Sequence, residues 1–299
     1  MPQLHGTDLD VSLPVAAQPG YERFVAQGER AEDLGYHRVW MSETWGRNAV
    51  AVLSALAERT SDVGLGSSIL PTYSRSPALL GQTAATLQEA SEGRFRLGVG
   101  PSGPAVIENW HGAAFENPLR RTRETVEIVK AVLSGDEVSY DGDIFDVGGF
   151  RLRCDAPEPA PPVDVAAMGP TAVEMTGRFA DGWHGVLFTP DGLEERHEDL
   201  VHGAELGDRD PSELRTHLML TCCALEDGDR ARALARQHAG FYVGGMGTYY
   251  RDSLARQGYD DVAYRIHEDW NDGRREEALA AITDELLDEL SPAGTPEEA

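Results

Sequence analysis

Lysine is almost absent from the chain. Lys130 is the only lysine among 26 basic residues, and 51 acidic residues give the 299-residue chain a formal net charge of −25. A nucleic-acid-binding surface neutralises phosphates over an extended footprint, so this balance excludes nucleic acid as a partner. Such a chain repels itself at low ionic strength, whereas molar salt shortens the Debye length to about 3 Å. The composition therefore predicts a protein from a salt-accumulating organism, with an ordinary acidic mesophilic protein as the alternative.

Cysteine and long apolar runs are scarce as well. The three cysteines, Cys154, Cys222 and Cys223, have neither the number nor the spacing of a disulfide framework or a zinc site, so we predict no metal. The adjacent pair lies in the apolar run 217–225, which predicts a buried strand with two small buried thiols. No apolar run approaches the roughly 18 residues of a bilayer span, and residues 1–10 lack the pattern of a signal peptide. We therefore expect a cytoplasmic protein without a membrane partner.

Short apolar runs alternate with longer segments of helical period along the chain. Seven strands are predicted, at residues 11–15, 37–42, 64–70, 95–100, 163–168, 182–188 and 216–225. Six helices are predicted between them, at residues 21–34, 49–59, 77–90, 119–133, 171–179 and 193–206. Hydrophobic residues make up 41% of the chain, which is enough for a sizeable core. The alternation predicts an α/β fold with a parallel sheet, either open and doubly wound or closed into a barrel.

Two segments interrupt this rhythm. Residues 136–162 carry an Asp141-Gly142 turn between β-like runs and then a proline-rich stretch, which predicts an excursion hairpin followed by a loop. Residues 229–290 are mostly of helical period, and we interpret them as a helical insertion after strand seven. Because no long linker divides the chain, we predict a single domain over residues 1–299.

One glycine-rich motif follows the fourth strand. Residues 98–103 match the G-x-G-x-x-G pattern of dinucleotide-binding loops. Pro101 removes a backbone N–H where such a loop donates to a pyrophosphate, and residues 104–106 do not open a clean helix. The match therefore does not indicate a dinucleotide site.

A longer and more specific pattern surrounds that motif. An R-x-P sequence at 75–77 opens the third helix, and S-x-G-R-x-x-L-G-x-G at 91–100 leads into and spans the fourth strand. These residues, together with matches at 35–36, 39–43, 180–183 and 294–298, resemble the bacterial-luciferase-like superfamily over nearly the whole chain. The resemblance implies a TIM-type (β/α)8-like barrel.

The resemblance also implies an eighth strand, which the chain does not supply. In the family, the G-T-P-E-E sequence found here at 294–298 opens a helix that leads into the closing strand. The chain ends at Ala299, and none of residues 291–299 has strand character. We therefore expect seven barrel strands, in a truncated chain or a natural variant. The edges of strands one and seven are expected to be unpaired or covered by a loop or a neighbouring chain, and residues 4–9 are the only spare segment for that gap.

Within the superfamily the chain most resembles the coenzyme F420-dependent oxidoreductases, the group that includes methylenetetrahydromethanopterin reductase. Residues 66–71 match the strand-three bulge that carries a non-prolyl cis peptide in that branch, and the halophile-like composition agrees because F420 is common among archaea, so a haloarchaeal source is expected. The resemblance implies hydride transfer between the deazaflavin C5 and a small organic substrate, by a homodimer. An FMN-dependent luciferase-like monooxygenase and a non-catalytic cofactor-binding or partner subunit are the alternatives.

The carboxyl ends of the strands carry the chemistry in a β/α barrel, and this rule selects the candidate residues. The predicted cofactor-binding residues are Ser42, Ser68, Ile69, Ser102, Gly103, Ala167, Met168, Gly169, Pro170, Thr171 and Thr189. Residues 168–171 lead from a strand into a helix N-terminus, whose N–H groups and dipole suit a cofactor phosphate. The Ser68–Ile69 bond is expected to be cis and to back the deazaflavin ring.

The predicted catalytic residues are Glu43, Glu108 and Trp45: the two carboxylates for contact with substrate or ring, and the indole as a pocket wall. Arg75 has two interpretations, a contact to the cofactor phosphate or tail and a loop anchor paired with a carboxylate. His184 begins strand six, at the opposite end from the chemistry, so we expect it to be structural. The loop 101–117 and the block 240–275 are expected to shape the substrate pocket, with Trp110, Phe115, Tyr249 and Tyr250.

Overall fold

A computed structural model describes residues 8–13 and 20–299. By its contacts the chain divides into two compact units. The first unit comprises Met1–Ser102, Val106–Ala166 and Phe179–Gly182, and the second comprises Gly103–Ala105, Ala167–Arg178 and Trp183–Ala299. Each unit is described separately below.

The first unit is an alternation of strands and helices. Its strands are β1 Asp10–Leu13, β2 Arg38–Met41, β3 Gly64–Ser67, β4 Leu70–Pro71, β5 Phe95–Gly100, β6 Val138–Asp141, β7 Asp146–Phe150 and β8 Val163–Ala166. Its helices are α1 Tyr21–Asp33, α2 Ala49–Arg59, α3 Pro77–Ala90 and α4 Pro118–Leu133, with a π-helical turn at Val106–Trp110. The excursion hairpin predicted within 136–162 is confirmed, since β6 and β7 pair antiparallel.

Local sequence signals account for the starts of α2 and α3 in this unit. Asn48 precedes α2, and its side chain accepts a hydrogen bond from the Ala51 N–H at 3.0 Å. Ser76 does the same for α3, accepting from the Leu79 N–H at 3.2 Å, with Pro77 at the first helical position. Each cap satisfies a backbone donor that the helix itself leaves unpaired.

The parallel strands of the first unit pair in the order β1-β2-β3-β5-β8. The side chains of Arg38 and Trp40, both on β2, lie over glycines of β3. A Cβ on Gly66 would lie 2.2 Å from the Trp40 ring, and one on Gly64 would lie 2.7 Å from Arg38 Cζ. Glycine is therefore required on β3, because only its bare backbone leaves room for these two large side chains.

The second unit contains two further strands of that sheet and a long helical block. Its strands are β9 Gly182–Val186, β10 Arg215–Met219, β11 Cys223–Ala224 and β12 Ala293–Gly294. Its helices are α5 Pro170–Phe179, α6 Pro190–Leu206, α7 Gly228–Gly245, α8 Tyr249–Leu254, α9 Asp260–Asn271, α10 Arg275–Ala280 and α11 Asp284–Leu290. A 3-10 turn occupies Pro211–Glu213 and a π-helical turn Ala255–Tyr259. The helical character predicted for 229–290 is confirmed.

The predicted α/β class and the count of seven strands are confirmed. The full strand order of the sheet is β1-β2-β3-β5-β8-β9-β10, with the short β4 added beside β5. Among the described residues no eighth strand joins the two ends of that order. Positions 14 and 15 of the predicted first strand, and most of the segment 4–9, lie outside the described residues.

Three sequence predictions are wrong, two of them in the second unit and one in the first. Cys222 is exposed and Cys223 half-buried, because the predicted strand 216–225 ends at Met219 and resumes only at β11. Residues 291–299 do contain a strand, since β12 pairs parallel with β11. The expected loop 101–117 contains the π-helical turn Val106–Trp110. No helix of the described residues is long and apolar enough to cross a membrane.

Candidate functional site

In the first unit, the loop after β2 is tied to the start of α3 by an ion pair. Both oxygens of the Glu43 carboxylate accept hydrogen bonds from the Arg75 guanidinium, one of them at 2.9 Å from Nη2. The carboxylate also accepts the Ala49 N–H at 2.9 Å, and Glu43 is only 8% exposed. This is the loop-anchor contact that was one of the two interpretations of Arg75. It leaves Glu43 with its oxygens engaged by the protein.

The segment after β3 has the backbone conformation that the sequence predicted. The Ser68–Ile69 peptide bond is cis, which confirms that prediction. The Ser42 hydroxyl, from the end of β2, donates to the Ser68 carbonyl at 2.6 Å. The Glu43 N–H donates to the Ile69 carbonyl at 3.3 Å. Ser68 and Ile69, which were predicted to back a cofactor ring, thus accept hydrogen bonds from Ser42 and Glu43, the predicted residues that follow β2.

The remaining candidates of the first unit are more open. Trp45 is 50% exposed, and Glu108 lies exposed in the π-helical turn. No ion pair joins Glu108 to another residue of the described chain. Ser102 is half-buried with a left-handed φ of +61°, and Phe115 stacks on Tyr73 with ring centroids 5.1 Å apart. The exposure of Trp45 and Glu108 is compatible with contact to a bound molecule and does not by itself assign one.

In the second unit, the turn that precedes α5 is fixed by a buried tryptophan. The Trp183 indole N–H donates to the Ala167 carbonyl at 2.8 Å, and the Ala167 N–H donates to the His184 carbonyl at 3.3 Å. Trp183 is fully buried and packs edge-on against Phe188. These contacts hold the backbone at Ala167, from which Met168 and Gly169 continue toward the helix.

The N-terminus of α5 is open and lies near a positive charge. The Gly169 carbonyl accepts the Ala172 and Val173 N–H groups, both at 3.0 Å, so α5 begins here. Among the described residues, a Cβ on Gly169 would have one neighbour within 4 Å, Arg256 Nη1 at 4.0 Å. The first turn of α5 carries no acidic residue. Free space, the Thr171 N–H, which has no intrahelical partner, and a guanidinium are features that suit an anion, and the phosphate predicted for residues 168–171 stays a prediction.

The turn between β9 and α6 carries Thr189, the last of the predicted cofactor-binding residues. Its hydroxyl oxygen caps α6 by accepting the Gly192 N–H at 3.1 Å. Its own N–H and hydroxyl donate to the side-chain oxygen of Gln257, at 2.8 and 3.1 Å. Thr189 is buried, and its polar atoms are therefore engaged inside the second unit.

Two residues of this unit were not identified from the sequence. Arg256 and Gln257 lie in the π-helical turn Ala255–Tyr259 of the helical block, far along the chain from the strands they approach. No motif marks them, because helical period indicates only that the block is helical. His184 is buried and stacks on His217 with ring centroids 4.8 Å apart.

Comparison with known proteins extends this description. The family model for luciferase-like monooxygenase matches residues 6–299. A protein of Mycobacterium tuberculosis described as a coenzyme F420-dependent oxidoreductase is 31% identical over 287 residues, which cover 88% of this chain and 81% of that protein. The 5,10-methylenetetrahydromethanopterin reductase of Archaeoglobus fulgidus is 29% identical over 272 residues, which cover 90% of this chain and 81% of that protein.

A solved structure shows the same fold. The coenzyme F420-dependent tetrahydromethanopterin reductase of Methanopyrus kandleri aligns with a TM-score of 0.82 at 23% identity, over 97% of this chain and 86% of that one. The chain belongs to the luciferase-like monooxygenase family, a family of oxidoreductases with a TIM-like parallel β/α fold. The resemblance seen in the sequence is thereby confirmed.

Proposed function

We propose that this protein is a coenzyme F420-dependent oxidoreductase that transfers a hydride between the deazaflavin and a small organic substrate. The relatives that are about 30% identical and described as F420-dependent or as methylenetetrahydromethanopterin reductases support F420 as the cofactor. The structural observation that carries the proposal is the open N-terminus of α5 beside Arg256. A phosphate-bearing cofactor fits that turn, because Thr171 offers a backbone N–H, Arg256 supplies positive charge, and the first turn of α5 carries no carboxylate.

The protein's own residues have limited tasks in this proposal. F420, when bound, supplies a hydride donor or acceptor at C5, so acid–base chemistry demands little of the chain. Residues 168–171, with Arg256, would hold the phosphate. Ser68 and Ile69, fixed by Ser42, would back the ring and orient it toward the substrate. Trp45 and Glu108 would meet the substrate from exposed positions, and Glu43 would hold the loop that carries Trp45.

The absorption spectrum of the purified protein tests the cofactor. Deazaflavin and FMN absorb at clearly different wavelengths in the visible range, so the copurified or added cofactor identifies itself. Tight binding of F420, with reduction or oxidation of the bound form by substrate, is the expected result. Selective binding of FMN would favour a luciferase-like monooxygenase instead, and binding of neither would favour a non-catalytic subunit.

A charge introduced at the α5 turn tests the phosphate position. Gly169→Asp places a carboxylate where the phosphate is proposed, and the open space around Gly169 accommodates the side chain. We expect a loss of F420 affinity of about tenfold or more, from like-charge repulsion and from neutralisation of Arg256. Gly169→Asn, equal in size but uncharged, is the matched control and should bind much better than the aspartate variant. Fluorescence titration with F420 measures both; equal affinities for Asp and Asn would place the phosphate elsewhere.

A further inference from the structure

Gln257 makes a complete set of hydrogen bonds to the turn that leads into α6. Its side-chain oxygen accepts both donors of Thr189, the N–H at 2.8 Å and the hydroxyl at 3.1 Å. Its side-chain NH2 donates to the carbonyls of Leu187 at 3.2 Å and Ser253 at 3.1 Å. Donors surround one end of the amide and acceptors the other, so its orientation is determined by its neighbours.

Gly192, at the start of α6, lies directly against the Gln257 side chain. A Cβ on Gly192 would lie 2.4 Å from the Gln257 oxygen and 2.6 Å from its Cγ, so only glycine allows the close approach. Gly192 also donates its N–H to the Thr189 hydroxyl oxygen, which caps α6. The single proton of that hydroxyl is therefore directed to Gln257, while its oxygen serves the helix.

The turn held by Gln257 has an uncommon backbone. Leu187 adopts a φ of +56°, a left-handed conformation that is unfavourable for a residue with a side chain. Its carbonyl is one of the two that Gln257 binds. Gln257 itself directly precedes a kink in the helical block, because Gly258, within the turn Ala255–Tyr259, adopts a left-handed φ of +89°. Two unusual backbone segments are thus joined through a single side chain.

We infer that Gln257 is a positioning residue of the proposed cofactor site. It fixes the turn 187–189, and its amide oxygen accepts the two Thr189 donors at the N-terminus of α6. Thr189 therefore takes part through the position of its backbone and not as a donor to a phosphate, which leaves the open N-terminus of α5 as the anion site. This inference rests on the proposed function for the identity of the ligand, and on the contacts above for the role of Gln257.

Two substitutions of nearly equal size separate the possible roles. Gln257→Met fills the same space but removes every hydrogen bond, whereas Gln257→Glu keeps an acceptor for both Thr189 donors and loses the two bonds to the Leu187 and Ser253 carbonyls. We expect the methionine variant to weaken F420 binding about tenfold, the scale of effect of displaced positioning groups, and the glutamate variant, which keeps the acceptor for Thr189, to bind F420 more tightly than the methionine variant. If the cofactor phosphate bound the Thr189 donors directly, the glutamate variant would instead be the weaker binder, because its carboxylate would compete with the anion.

Hydrogen exchange of the free protein supplies a readout that needs no cofactor. The Thr189 amide should exchange faster in Gln257→Met than in Gln257→Glu, with the melting temperatures reported alongside to identify general destabilisation. Fast exchange of the Thr189 amide in Gln257→Met and slow exchange in Gln257→Glu, together with tighter F420 binding by Gln257→Glu, support the inference. Equal exchange in the two variants, or glutamate as the weaker binder, overturns it. Absence of F420 binding by the unsubstituted protein would refute the proposed function and leave the exchange experiment as the test of Gln257.

Discussion

Some of the predicted site residues hold loops in place and others face solvent. Their positions in the sequence do not show which residue has which role. Glu43 lies two residues after the end of β2, a position at which a β/α fold often carries a catalytic carboxylate. The structure shows what the sequence could not: Arg75, 32 residues further along the chain, engages both of its oxygens. Residue type and strand position were sufficient to select Glu43, but its partner depends on how two loops meet.

His238 provides a prediction at the residue scale. Burial lowers the pKa of His238 below its ordinary value of 6.5, and its Nδ1 lies 2.7 Å from the Thr221 hydroxyl. Because the folded state disfavours the charged ring, the stabilising contribution is present above the unfolded pKa and is lost as the pH falls through the lower folded pKa. We expect the free energy of unfolding to fall on acidification below about pH 6.5, with a slope from this group of at most about 1.4 kcal/mol per pH unit.

The variant His238→Asn tests this assignment, since an amide can still bond to Thr221 but does not titrate. Denaturant unfolding at a series of pH values should show a smaller loss of stability in the variant than in the unsubstituted protein. His197→Asn, at an exposed position of α6, controls for the removal of an imidazole. Identical pH profiles for His238→Asn and the unsubstituted protein would show that His238 does not carry the effect.

At the scale of helices and strands, the features that were predictable are the local ones. The caps at Asn48 and at Ser76-Pro77 depend on a few neighbouring residues, and the alternation of apolar runs marks each strand of the main sheet. The pairing of β11 with β12 is different, because it joins Cys223 to Ala293 across 70 positions, and neither two-residue strand has a pattern of its own. The π-helical turn Val106–Trp110 likewise lacks a signal, since a single extra residue hardly changes the helical period, whereas the turn Ala255–Tyr259 contains Gly258, which interrupts the helical pattern.

The candidate site likewise contains residues that the sequence indicates and residues that it does not. Its strand-end residues were predictable because parallel strands carry their functional loops at one end, and residues 168–171 show the strand-to-helix transition directly in the sequence. Arg256 and Gln257 come from the helical block, and their approach to Gly169 and Thr189 depends on the packing of that block. Tertiary contacts of this kind have no local sequence pattern from which to infer them.

Close packing of α5 on α6 gives a prediction at the element scale. A Cβ on Gly203 would lie 1.9 Å from the Glu174 carbonyl oxygen, and one on Gly177 would lie 2.1 Å from the Leu200 carbonyl oxygen. Both obstacles are backbone atoms, which cannot move aside like the end of a side chain. We therefore expect Gly203→Ala to lower the free energy of unfolding by about 1–3 kcal/mol or more, the usual cost of overpacking, although alanine favours helices.

Denaturant titration measures that loss. Gly148→Ala is the control, because Gly148 has ordinary backbone angles and nothing within 4 Å of its Cβ position. We expect the control to change stability by less than about 0.5 kcal/mol, as surface substitutions usually do. A Gly203→Ala protein as stable as the control would mean that the two helices are farther apart than described.

At the scale of the whole molecule, the acidic excess is the dominant property. The single lysine is used for structure: Lys130 donates to the Phe179 carbonyl and to Asp181, both at 2.7 Å. Other cations are shared between carboxylates, as where Arg232 contacts both Asp284 and Asp288. With 51 acidic residues against 26 basic ones, many carboxylates have no cation to pair with. The expected homodimer would add a second copy of this charge, and light scattering at several salt concentrations would establish the state of assembly.

This excess leads to a prediction about salt. Screening weakens surface ion pairs such as Arg59 with Glu22, but it also weakens the mutual repulsion of 25 uncompensated charges. Because solvent screening leaves each exposed pair a small contribution and the repulsion acts over the whole surface, the second effect should be larger. We therefore expect the melting temperature to rise between about 0.1 M and about 1 M KCl, as the Debye length falls from about 10 Å to about 3 Å.

Neutralising part of the excess charge tests the cause of that rise. Glu194, Glu198 and Glu205 are exposed on α6, and replacing all three by glutamine removes three negative charges with little change in shape. The triple variant should melt at a higher temperature than the unsubstituted protein in low salt, and its melting temperature should increase less with KCl. Sucrose, which adds no ionic strength, controls for general effects of a cosolute. A melting temperature that is flat or falls with KCl would refute the salt-adapted interpretation, because charge repulsion would then not limit the stability of this chain.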